Sequence, residues 1–397
     1  MASAREAGVA HAVQSVAFGG KMPGPKRARA QSRKRTRGRL FCAVLVWGCA
    51  TTSAAPSRER LAALSVDVFY ATDRKVRLTE ARPCTAGLPL PLAVRFGRER
   101  GTGALSLGVF PVKLLATRRL GETPPAIERP MCSRGRDSVF LAGPIPKSEE
   151  QFAESIRAAL AWAASKEILV FVHGYDYGFD EAVLWAAQLK NDVGFEGVII
   201  LYSWPSRASR WSYLADLSNA EWTTPHLTRF LDALGAQTGG VPIHVLAHSM
   251  GSRAMLSALH ALAVERSDRP APRFKQIIFA APDVDADVFR QLAPPVLVLA
   301  ERVTLYTASD LALRMSGWLF AHPRAGDSEP GLVLVEGMDT VDVTAVEDSH
   351  TRHGYFLENE RVLADIFQLL SHAAPPRRRF RLFDSRVRGM LVWQFRS

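Results

Sequence analysis

Ile243-His244-Val245-Leu246-Ala247-His248-Ser249-Met250-Gly251-Ser252-Arg253 is the stretch that decides how the rest of this chain is read. An apolar strand over Ile243–Leu246 runs straight into A-H-S-M-G, and an Ala/Leu-rich helix follows from Met250 to Val264. A serine at the tip of such a strand–turn–helix is the nucleophile-elbow pattern G-x-S-x-G, here with Ala in place of the first glycine. Small residues are needed on either side because the turn is strained and a larger side chain would strike the neighbouring strand or helix. The helix behind Ser249 also presents backbone N–H groups and the positive end of its dipole to any negative charge that develops there.

Outward from the elbow, helix and strand alternate. Ser148–Ser165 reads as a helix capped by Ser148, with Phe152, Ile156, Leu160 and Ala163 on one face. Strands are expected at 168–172, 198–202, 276–280, 303–306 and 332–335. Helices are expected at 179–190, 224–234, 286–292 and 356–370. Short, continuously apolar strands separated by helices imply an α/β fold with a mostly parallel central sheet covered by helices on both faces. Upstream, the β-branched and aromatic runs 65–71 and 104–112 predict a β extension of that sheet. With the elbow, this pattern predicts the α/β-hydrolase fold.

In that fold the loop after an earlier strand donates a backbone N–H to an oxyanion hole, and the residue after the nucleophile donates the second. Val170-Phe171-Val172-His173-Gly174-Tyr175 fits the first role, so the expected donors are the N–H groups of Tyr175 and Met250. His173 is expected to be a structural hydrogen-bonder. Trp204, Phe179, Trp211 and Tyr213 are candidates for an apolar acyl pocket, with ordinary packing as the alternative for each.

Several segments resemble a bacterial family of α/β hydrolases of largely unknown function, serine esterase- and lipase-like in their elbow. They are F-Y-A-T-D-R at 69–74, F-V-H-G-Y at 171–175, G-F-D-E-A from Gly178, Y-S-W-P-S at 202–206 and A-H-S-M-G-S-R at 247–253. A-A-P-D-V-D-A-D-V-F at 280–289, R-V-T-L-Y at 302–306 and R-A-G-D at 324–327 complete the pattern. The resemblance spans about residues 65–370 and bears on fold more than on substrate. The chain order of this fold, Ser then acid then His, makes Asp310 in T-A-S-D the expected acid. Asp283, Asp285 and Asp287 are its competitors, read as helix-capping groups, and Asp339 and Asp342 are weaker ones. His353 in H-G-Y-F matches the family position for the base, and His350 is the alternative. The expected chemistry is hydrolysis of a carboxylic ester through an acyl-enzyme on Ser249. An acyltransferase with the same residues and a catalytically silent binding protein are the other readings.

The net charge of +11 is a matter of the ends. Residues 1–60 carry 12 Lys/Arg against 2 acidic residues and residues 373–397 carry 7 Arg against 1 Asp, so the remainder is mildly acidic. A nucleic-acid partner calls for a basic footprint on the folded part, and none is expected. The expected organisation is a basic leader over 1–60, an α/β-hydrolase domain over 61–372 and a basic C-terminal tail over 373–397. The tail reads as a solvated extension whose aromatic residues leave room for a membrane-surface contact. In the leader, a basic cluster at 26–39 stands before the apolar run 40–50, the layout of a secretory signal. Lipidation at Cys49 and cleavage after Ala55 are both open, as is a plain basic leader, and Met22 is an alternative start. Export, with an acyl substrate as partner, is expected. Two of the four cysteines, Cys84 and Cys132, would remain to pair with each other. No metal-ligand spacing occurs, and neither metal nor cofactor is assigned.

Overall fold

The computed structural model describes residues 63–80, 92–115, 121, 140–141, 143–265, 274–346 and 353–396, all within one compact unit, Glu59–Ser397. The leader with Cys49 and Ala55, both mature cysteines and His350 lie outside the described residues.

Strands β1 (Ala63–Thr72), β2 (Arg74–Glu80), β3 (Leu92–Arg100) and β4 (Ser106–Leu115) come first, followed by the short β5 (Phe140–Leu141) and β6 (Ile145–Lys147). Then α1 (Glu149–Trp162), β7 (Ile168–Val172), α2 (Phe179–Asp192), β8 (Val198–Ser203), α3 (Tyr213–Gln237) and β9 (Ile243–His248) alternate. The series continues through α4 (Gly251–Glu265), β10 (Phe274–Ala280), α5 (Ala286–Val296), β11 (Ala300–Thr307) and α6 (Leu311–Phe320). It closes with β12 (Asp339–Asp342), α7 (Tyr355–Glu358), α8 (Glu360–His372), β13 (Leu382–Val387) and β14 (Met390–Phe395).

The main sheet has the order β13-β14-β12-β11-β10-β9-β7-β8-β1-β4-β5, with β6 also on β4. Every pairing from β1 through β14 across the middle is parallel, and the two ends are antiparallel. Strand alternation gives each face its own core. Val66, Val68 and Tyr70 of β1 join α2 and α8 on one face, whereas Phe69 and Ala71 join α1, α3, α4 and α5 on the other. The central strands β7, β8 and β9 are buried along their whole length because both faces are covered. Ser148 caps α1 in a reciprocal capping box with Gln151.

Four features differ from expectation. Helix α3 begins at Tyr213, well ahead of Thr224, and carries Pro225 in its interior. The second difference is α6: Leu-Ala-Leu-Arg-Met-Ser-Gly-Trp-Leu-Phe is apolar nearly all round and offers no periodic contrast to read. Residues 332–335 form no strand, and the strand beside β11 is β12. Finally, residues 382–395 are not a solvated tail but a hairpin that extends the sheet through β14 on β12. Its apolar residues Leu382, Val392 and Phe395 are buried. Arg379 at its root forms a fully buried ion pair with Asp365 of α8 at 2.9 Å. None of the described helices is long and apolar enough to cross a membrane.

Candidate active site

The parallel strands all end on one edge of the sheet, where open α/β sheets place their ligands. Ser249 sits there between β9 and α4 with φ of +51°, a left-handed conformation that is costly for any residue but glycine. Its backbone is held on both sides: its N–H donates to Ala280 O at 3.0 Å and its carbonyl accepts from Asp283 N–H at 3.1 Å. The glycines beside it are steric necessities. A Cβ on Gly251 would lie 2.2 Å from His173 O, and one on Gly174 would lie 2.8 Å from His248 Nδ1 and 3.1 Å from Ser249 Cβ. Ala247, at the first elbow position, is accommodated within the apolar core of its face.

Three expected side chains meet. The Ser249 hydroxyl lies 2.7 Å from His353 Nε2, and His353 Nδ1 lies 2.7 Å from Asp310 Oδ2. A carboxylate only accepts, so Nδ1 carries the imidazole proton and Nε2 is left to accept from the serine hydroxyl. Asp310 is fully buried, whereas His353 keeps about a fifth of its side chain in contact with solvent. The same carboxylate caps α6: its Oδ1 accepts from the N–H groups of Ala312 and Leu313 while Oδ2 faces His353.

The competing carboxylates are used elsewhere. Asp283 accepts from Tyr213 OH at 2.6 Å and Ser316 Oγ at 2.9 Å, and it pairs with the buried Arg324 at 3.3 Å. Asp285 caps α5, as read, and Asp287 pairs with Arg290 on the surface. Asp339 pairs with Arg302, and Asp342 accepts from Thr344.

His248, without a role from sequence, proves to be packed against the site. Its ring lies 4.9 Å from that of His353 and 4.3 Å from Phe356. Its Nε2 lies 3.1 Å from the His353 carbonyl, so this nitrogen is the protonated one. Burial first, then the neighbouring His353, holds His248 well below the ordinary histidine range, so it stays neutral. Its Nδ1 has no hydrogen-bond partner among the described residues.

Tyr175 follows Gly174 in the loop after β7, and Met250 directly follows Ser249, just ahead of α4. Arg74, Ser203 and Trp204, which lie in the quoted motifs at 69–74 and 202–206 without an individual role, form a buried network under that first loop. Trp204 stacks on the His173 ring at 5.3 Å and donates its indole N–H to His173 O at 2.8 Å. Of the four proposed pocket aromatics, Trp204 and Phe179 are thus packing groups, the latter within a cluster of Tyr70, Phe96 and Phe110. Tyr213 bridges to Asp283, and its ring meets the edge of Tyr175 at 5.5 Å. Trp211 is 97% exposed. No cluster of three or more metal-ligating side chains occurs among the described residues.

The family model for the alpha/beta hydrolase of unknown function (DUF900) matches residues 148–372, more than half of the chain. The chain belongs to this alpha/beta hydrolase family. Among solved structures, one from Xanthomonas campestris pv. campestris, described as a hydrolase of the alpha/beta superfamily, is 17% identical with a TM-score of 0.26. That match covers 51% of this chain and 98% of the other. A phospholipase from Legionella pneumophila, solved with thio-NAD, is 12% identical over 58% of this chain and 67% of its own, with a TM-score of 0.29. An esterase from Pyrobaculum calidifontis is 14% identical over 56% and 78%, with a TM-score of 0.23. The search of curated proteins returned no match.

Proposed function

We propose that this family member is a serine hydrolase that cleaves a carboxylic ester through an acyl-enzyme on Ser249. The observation that carries the reading is the pair of contacts from Ser249 Oγ to His353 Nε2 and from His353 Nδ1 to Asp310 Oδ2, each 2.7 Å, beginning on a serine of positive φ. His353 takes the hydroxyl proton as Ser249 Oγ bonds to the ester carbonyl carbon. Asp310 holds the ring in the required tautomer and balances the imidazolium that forms. The N–H groups of Tyr175 and Met250 receive the tetrahedral oxyanion. His353 returns the proton to the departing alkoxide. Water, deprotonated by the same imidazole, then attacks the acyl carbon. The bond to Ser249 Oγ breaks as the imidazolium gives its proton back to the serine, and the acid leaves.

An apolar acyl group is the favoured substrate portion. The exposed line Leu311, Met315, Trp318 and Leu319 of α6 starts on the residue after Asp310, so the surface beside the proposed triad offers water-exposed apolar side chains. A series of p-nitrophenyl esters of increasing acyl length tests the reading. Turnover is expected to rise from acetate to medium-chain esters and to fall to the background rate in Ser249→Ala. Turnover unchanged in Ser249→Ala, or none by the wild-type protein on esters, thioesters or amides, would overturn it.

A further inference from the structure

Arg74 lies just past the end of β1 and is almost wholly buried, yet its guanidinium has a partner for every one of its five N–H donors. Nε donates to Ser203 Oγ at 2.9 Å. Nη1 donates to Gly97 O at 3.3 Å and Ser206 O at 3.0 Å. Nη2 donates to Tyr177 O at 2.9 Å and faces His173 Nε2 at 3.3 Å. A guanidinium has no acceptor, so the His173 nitrogen turned toward it must be the bare one. The Ser203 hydroxyl, already accepting from Arg74, also faces that nitrogen at 3.1 Å and can donate to it. The proton of the neutral ring is therefore left on Nδ1, which lies 2.7 Å from Gly174 O and donates to it.

That last contact reaches the proposed oxyanion donor. In a planar trans peptide the carbonyl of one residue and the N–H of the next point in opposite directions. Holding Gly174 O toward the His173 ring consequently aims the Tyr175 N–H the other way. The loop is pinned again two residues later, where Arg74 takes the Tyr177 carbonyl.

We propose that Arg74 is a positioning residue: by dictating the Nδ1–H tautomer of His173, it orients the Gly174–Tyr175 peptide so that the Tyr175 N–H can serve the oxyanion. The inference rests on the hydrolase reading above and reaches it only through His173. Burial first and then the Arg74 charge push the His173 ring down to about 3, so the ring does not titrate in the working range and the tautomer persists there. Lysine at 74 keeps the charge but loses the planar fork that reaches Ser203, His173 and two loop carbonyls at once.

The test combines a spectroscopic readout with kinetics. In ¹⁵N-histidine-labelled full-length protein, with the His173 signals identified by their loss in His173→Asn, the wild-type ring is expected to show Nδ1 protonated and to stay so between pH 5 and 9. In Arg74→Met the ring is expected to shift toward the Nε2–H form. Its kcat is expected to fall about 10- to 100-fold, short of complete loss of an oxyanion donor, with KM within about twofold. Arg74→Lys is expected to fall between the two. A wild-type ring protonated on Nε2 overturns the proposal even if no variant folds, as does Arg74→Met with unchanged tautomer and kcat. The ring signals do not depend on turnover, so failure of the hydrolase reading, seen as wild-type inactivity, is distinguishable from failure of this one.

Discussion

Asp283 and Asp310 follow neighbouring parallel strands, β10 and β11, and both are buried, yet their surroundings set them to different work. Asp283 faces Arg324, Tyr213 and Ser316, donors that keep their protons at any ordinary pH. Asp310 faces one imidazole whose other nitrogen touches a serine hydroxyl. A buried carboxylate takes part in proton transfer only when its partner can gain and lose a proton, and of the side chains facing Asp283 and Asp310 only His353 meets that requirement. Glu167 completes the comparison. It contacts the His244 ring at 3.3 Å and Lys275, but next to the starts of β7, β9 and β10, at the opposite sheet edge from Ser249. A carboxylate–imidazole pair alone therefore does not assign the role; the proposed reading also requires the imidazole to reach Ser249.

The sharpest way to break the contrast is Asp310→Asn. The amide keeps an oxygen for the α6 cap, yet its NH₂ favours the wrong His353 tautomer. We expect kcat to fall roughly 10⁴-fold with folding stability kept within about 1 kcal/mol, measured by ester turnover and urea unfolding. A variant retaining more than a tenth of the wild-type rate would place the acid elsewhere.

Asp283→Ala is expected to give the converse. It strands Arg324 as a buried, unpaired cation and should cost about 3 kcal/mol in urea unfolding. The backbone contact from residue 283 to Ser249 O remains, so kcat should stay within about tenfold of wild type, about 1.4 kcal/mol of barrier. Loss of activity in the folded variant comparable to that of Asp310→Asn would reverse the two assignments.

Glu167→Gln should have the smallest effect, with kcat unchanged. Hydrogen bonds from His244 and Lys275, against opposing burial, hold the Glu167 carboxyl at about 2, below its ordinary 4.5. A depressed carboxyl stabilises the fold above its unfolded value and loses that contribution as pH falls through the folded one. The stability gap between wild type and Glu167→Gln is thus expected to be about 2 kcal/mol at neutral pH, shrinking from about pH 4.5 to 2. A gap independent of pH would contradict the pairing.

Much of this was legible because the fold is written in short, strongly contrasted segments. The apolar run Ile243–Leu246, the small residues around Ser249 and the chain order of Asp310 and His353 belong to local chemistry that one sequence displays. What escaped depended on tertiary partners. Capping set Asp283 and its neighbours aside, although Asp310 is itself a cap; a carboxylate has two oxygens and can serve both purposes. The arginines of the tail suggested solvent, but Arg379 has a buried partner in Asp365 that no spacing reveals. The hairpin did leave a trace in Arg388-Gly389, a two-residue turn with both φ values positive, as tight hairpins require. Arg74 is the clearest omission, since an isolated arginine after a strand gives no sign of the five partners that the fold assembles around it.

The proposed chemistry depends most on Ser249 being activated by the residues around it. Peptide mapping by mass spectrometry after treatment with a fluorophosphonate probe measures this directly. We expect a single adduct on Ser249, lost in Ser249→Ala and strongly slowed in His353→Ala. No adduct on the folded wild-type protein, or an adduct on a different residue, would contradict the account.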